Sequence, residues 1–137
     1  MRSFVMFFVM VMMAASANAD VITERKENFR ANVKSLKLIQ PAMEQGDMET
    51  ISKEAESIAS WAKAMPEFFP QGSDMGDTKA RPEIWENWDD FLAKSAANRE
   101  AAETLAELAA AGNDEALPSA FGALSKTCGD CHKLYKY

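Results

Sequence analysis

Between residues 20 and 135 the apolar side chains recur at steps of three and four, in four runs broken by glycine or proline. That spacing lays a stripe along one side of a helix, and four such stripes have nothing to bury against except one another. No segment alternates with period two and β-branched residues are few, so strands are not expected. The first run, Ile22, Arg25, Phe29, Val33, Leu36, Gln40 and Met43, ends at Gly46. The second, Ile51, Ala55, Ile58, Ala62 and Met65, stops at Pro66. A third opens on Pro82 and Glu83, residues suited to a helix start, and continues through Ile84, Trp88, Phe91 and Leu105 to Gly112. The last carries Leu117, Phe121, Leu124, Cys128, Cys131, His132 and Tyr135, with Pro118 either in its first turn or bending it. The expected fold is all-α: an antiparallel up-down-up-down four-helix bundle.

The connections fix which residues meet. Those around Gly46 and around Gly112-Asn113 are short and force antiparallel neighbours, whereas Pro66 to Pro82 forms one long loop. In such a bundle the starts of helices one and three share an end with the finishes of two and four. Arg25, Phe29, Met65, the long loop and Ile84-Trp85 are thus expected around the end of the last helix. Met43 and Met48 belong to the opposite end.

That end carries the chemistry. Cys128-Gly129-Asp130-Cys131-His132 is a C-x-x-C-H motif, holding both cysteines and the single histidine of the chain. Two thiols three apart share a helix face and can both form thioethers with the vinyl groups of one haem, giving haem c, while the adjacent imidazole ligates the iron. A redox dithiol is disfavoured because such motifs open a helix after a strand. A zinc site would have only three ligands nearby. With one histidine, bis-histidine ligation within the chain is excluded, and no second histidine stands ready for acid–base catalysis, so no enzyme activity is expected.

The chain opens with Met1-Arg2-Ser3, an apolar run from Phe4 to Ala15 and then Ser16-Ala17-Asn18-Ala19, the pattern of a cleaved secretory signal over residues 1–19. The run is too short for a membrane span. Cleavage after Ala19 leaves 118 of the 137 residues, 20–137, as a single haem domain starting at Asp20. Export fits haem attachment, which in bacteria occurs outside the inner membrane, and points to the periplasm. The formal charge of −6 becomes −7 without Arg2. An acidic surface gives no support to nucleic-acid binding and favours basic partners if any, and nothing ties the processed chain to a membrane.

Three stretches carry a resemblance: Arg25-Lys26-Glu27-Asn28-Phe29, Ala80-Arg81-Pro82-Glu83-Ile84-Trp85, and Ser119 through His132 leading into Tyr135. With the all-helical frame they resemble the cytochromes c′, four-helix periplasmic cytochromes with haem near the C-terminus, over the whole processed chain. The resemblance implies His132 as proximal ligand and Phe29 on the distal side of the iron. Family members with Met there are six-coordinate, low-spin electron carriers; those with an apolar residue leave the iron five-coordinate. Phe29 cannot ligate, which places this chain with the second group. Arg25 matches a family arginine near the haem edge, where a propionate would suit it; a solvated surface arginine is the alternative. Lys136 stands where the family often has arginine, a point donor in place of a planar fork.

Phe29 offers no hydrogen bond to bound dioxygen, whereas nitric oxide binds ferrous haem strongly without one. The expected function is a haem protein that binds nitric oxide, with electron transfer to a redox protein partner alongside. The alternative is a low-spin electron carrier with a methionine, Met65 or Met75, as sixth ligand. The family commonly pairs through its first two helices, which implies a homodimer; the charged outward faces of those helices weigh against it.

Overall fold

The computed structural model describes the backbone of residues 2–137 and the side chains of residues 18–137. The side chains of the apolar run from Phe4 to Ala15 lie outside the described residues. Helix α1 spans Arg2–Gln45, α2 Met48–Ala64, α3 Glu83–Glu86, α4 Trp88–Ala110 and α5 Leu117–Tyr135. Among the described residues there is no β-strand, and no helix is long and apolar enough to cross a membrane.

Four helices form the expected bundle. α2 packs on α1 and α4, and α4 packs on α5. The turn between α1 and α2 is set by Gly46, whose φ of +67° only glycine adopts without strain. Asp47 then caps α2, accepting from the Thr50 amide at 3.1 Å. One interior cluster fills the end of the bundle built on Ile39, Ile51, Ile58, Leu105, Leu117 and Leu124, all nearly inaccessible. Each such side chain contributes about 1.5–3 kcal/mol on burial. Polar links pin the helices between layers: Ser95 Oγ donates to the Ala62 carbonyl at 2.6 Å, and Asn98 Nδ2 to Thr127 Oγ1 at 2.8 Å.

The third helical run differs from its sequence expectation. It breaks at Asn87, which leaves the helical region at φ −124° and ψ 47°, so that a single turn, α3, precedes α4. Asn87 Nδ2 donates back to the Glu83 carbonyl at 3.1 Å, an interaction that competes with continued helix. Pro118 causes no bend, because it falls in the first turn of α5, where its missing N–H is not needed. Phe121 packs against the cluster of Ile51 and Leu105, as a core residue of the last stripe.

Candidate functional site

A second cluster fills the opposite end. Trp61, Met65, Phe69, Ile84, Phe91 and Tyr135 are buried there, with Phe29, Phe68, Trp85, Trp88 and Cys131 packed against them. The structure thereby brings together the residues that topology placed at one end. Aromatic rings interlock: Phe69 meets Phe91 at 4.9 Å, Phe91 meets Tyr135 at 5.7 Å, and Trp61 meets Phe68 at 5.0 Å. Edge-to-face pairs of this kind each add about 0.5–1.5 kcal/mol beyond their buried area.

The side of the bundle between α1 and α5 is the least closed, since these two helices do not pack as the other neighbours do. Across it, the ring of Phe29 faces that of His132 at 6.2 Å, inclined by 64°. Cys128 and Cys131 lie half-buried on the same helix as His132, both as free thiols. Burial pushes the Cys131 thiol up to about 11, with the neighbouring Cys128 adding to it, and raises Cys128 as well. These thiols sit in the last turns of a helix, where the dipole disfavours a thiolate, which is the reverse of a reactive dithiol. Partial burial, then the charge of Lys136, holds His132 below its ordinary value. His132 is nonetheless exposed at the helix surface, which softens the first of these effects. Both effects favour the neutral imidazole, the form with a lone pair to give.

Arg25 is not a surface residue: it is 2% exposed. Its Nη1 donates to Ser73 Oγ at 2.8 Å and to the Phe68 carbonyl at 3.3 Å. Its Nη2 donates to the Ser73 carbonyl at 2.5 Å and to Thr78 Oγ1 at 2.6 Å. The guanidinium also lies 4.4 Å from the centre of the Phe69 ring. Burial lowers its pKa to about 10, against the opposing pull of Asp74. Arg25 therefore anchors the long loop over the aromatic end. Nothing in the order of residues marks Ser73 and Thr78 as its partners, because they lie about fifty residues away.

A short strap also escaped the sequence reading. Ala80 and Lys136 form an isolated antiparallel bridge, with the Arg81 amide donating to the Tyr135 carbonyl and the Tyr137 amide to the Lys79 carbonyl, both at 3.0 Å. It ties the residues after the motif to the long loop. Tyr135 adds a hydrogen bond from its hydroxyl to Asp90 at 2.5 Å.

A haem suits this end on the chemistry of its donors and on one unsatisfied atom. Two thiols and an imidazole share α5, the aromatic cluster packs against Cys131, and the α1–α5 side is the least closely packed of the bundle. The buried Nε1–H of Trp61 has no hydrogen-bond partner. Leaving such a donor unpaired costs about 1–3 kcal/mol, so a group bearing acceptors completes the site. Trp61 is the residue the sequence reading passed over; a tryptophan inside an apolar stripe, with a polar edge to satisfy, was its only signal.

The family described as Cytochrome C′ matches residues 20–136. A cytochrome c-556 of Agrobacterium tumefaciens is 38% identical over 91 residues, covering 66% of this chain and 72% of its own. A cytochrome c′ of Pararhodospirillum photometricum is 34% identical over 86 residues, 62% of this chain and 69% of its own. The crystal structure of cytochrome c′ from Thermochromatium tepidum superposes with a TM-score of 0.80 at 25% identity, over 87% of this chain and 95% of that one. Together with the two thiols on the last helix, these findings place the chain in the cytochrome c′ family, a four-helix protein that binds haem c covalently through Cys128 and Cys131.

Proposed function

We propose that this is an exported, periplasmic haem protein whose iron takes His132 on one side and meets only Phe29 on the other. The iron is then five-coordinate and binds a diatomic gas, chiefly nitric oxide, with electron transfer as a second capacity. The carrying observation is the pairing of Phe29 and His132 across the least closely packed side of the bundle, between α1 and α5. A phenyl ring cannot ligate, and it must yield to admit even a small ligand. Cys128 and Cys131 fix the group in register, so that His132, one residue on, is held to a single face. The Arg25-anchored loop and the aromatic cluster exclude water from the same end.

A signal over residues 1–19 supports export, and the family match beginning at residue 20 is consistent with it. Val33 and Leu38 stand exposed on α1, which suits a homodimer through the first two helices. No catalytic role is assigned: His132 is the sole histidine and is committed to the iron.

One specific observation favours a second reading. Met65 is buried among the rings of the haem end, whereas Met75 is 72% exposed on the loop. A thioether from Met65 on the iron would make a six-coordinate, low-spin electron carrier. Titration of the ferrous holoprotein with nitric oxide separates the two. The gas-binding reading expects stoichiometric uptake with a change of absorption and EPR spectra, and a ferrous protein indifferent to nitric oxide sinks it.

A further inference from the structure

The distal side, apolar by sequence, holds one polar donor. Trp61 lies on α2, 7% exposed, and its ring meets the Phe29 ring edge-to-face at 5.4 Å and an interplanar angle of 86°. Its Nε1–H is buried and unpartnered. Three neighbouring polar side chains are satisfied within the chain: Tyr135 by Asp90, Trp85 Nε1 by the Phe69 carbonyl at 2.9 Å, and Arg25 by Ser73 and Thr78. A buried donor without a partner marks a place where an acceptor can arrive from outside the chain.

Two kinds of acceptor come with a haem: its propionates and the far atom of a gas on the iron. Propionates are anionic, and a cationic donor remains at this end, the Arg81 Nε, itself buried without a partner. The neutral indole touches Phe29, the residue that covers the open face of the iron. We infer that Trp61 Nε1–H is the hydrogen-bond donor to the diatomic ligand, and so a specificity-determining residue of the gas site. This rests on the reading of Phe29 as the distal residue. Phe29 then governs entry by its bulk, while Trp61 governs departure by holding the ligand's outer atom. Discrimination against dioxygen follows from the bulk of Phe29 and not from the lack of a donor.

The test is Trp61→Phe in the holoprotein, which keeps a ring and removes the N–H. The readouts are the C–O stretch of the ferrous carbon monoxide complex and the dissociation rate of nitric oxide. Loss of the donor is expected to raise the C–O stretch and to speed dissociation about fivefold, the worth of one ordinary hydrogen bond. If both stay unchanged, or if only the propionate modes move, the inference is overturned. Where the variant fails to hold haem, the unaltered protein prepared in heavy water decides: a shifted C–O stretch supports the donor, an unshifted one removes it. An unaltered ferrous protein that binds neither gas overturns the gas-binding reading itself. A protein that binds both gases but is insensitive to the variant overturns this inference alone.

Discussion

Phe29 on α1 and His132 on α5 face one another at 6.2 Å, ring to ring, across the side of the bundle that the other helices leave least closed. Each ring is held from behind. Trp61 backs Phe29 at 5.4 Å, and the C-terminal strap fixes the residues that follow His132. On the proposed reading these two rings part to take a flat group between them, one able to ligate and one not.

Substituting Phe29→Met should convert one coordination state to the other. A thioether in place of the phenyl ring offers the iron a sixth ligand, so the ferric EPR spectrum is expected to become low-spin. Nitric oxide must then displace that ligand, and its association rate should fall roughly tenfold or more, equal to about 1.4 kcal/mol of added barrier. An unchanged high-spin spectrum in a folded variant would mean that position 29 does not face the iron.

Arg25→Ala should loosen the long loop. It leaves the Ser73 and Thr78 groups without their charged donor, at a cost of about 2–4 kcal/mol. Chemical denaturation of the holoprotein measures the loss, and hydrogen exchange should show it first at the amides of residues 73–78. Arg25→Lys should recover less than half, because one ammonium cannot reproduce a planar fork reaching both Ser73 and Thr78.

Tyr135 predicts an alkaline weakness. Burial, then the hydrogen bond to Asp90, raises its pKa to about 12. Above pH 10 an unfolded tyrosine loses its proton while the folded one keeps it. The folded state therefore binds more protons between pH 10 and 12, and stability falls as pH rises through that window. Tyr135→Phe should cost about 1 kcal/mol at pH 7 and flatten this extra alkaline loss in urea unfolding at pH 7 and pH 11. Equal slopes in both proteins would rule the tyrosine out as the cause.

Replacing both Cys128 and Cys131 with alanine should abolish covalent haem while leaving the interior cluster of Ile51, Ile58 and Leu105 intact. Denaturing gels stained for haem and intact mass read the loss directly. Retention of haem through denaturation would place the attachment elsewhere.

Much of this was legible in the order of residues, because local rules decide it. Apolar steps of three and four, Gly46, Pro66 and Gly112 marked the four bundle helices, and C-x-x-C-H marked the cofactor. Short connections then forced the haem end to contain Phe29 and Trp85, as the structure has it. What stayed hidden depends on distant partners. The loop residues Ser73 and Thr78 acquire meaning only when Arg25 is folded beneath them, and Trp61 only when its N–H is found without an acceptor. The break at Asn87 and the bridge between Ala80 and Lys136 are tertiary choices that no periodic pattern announces.

The EPR and absorption spectra of the purified ferric holoprotein test the central claim most directly. An iron with His132 on one side and Phe29 on the other should be high-spin or spin-admixed. A low-spin spectrum with a sulfur-to-iron charge-transfer band would put a methionine on the iron and contradict the account.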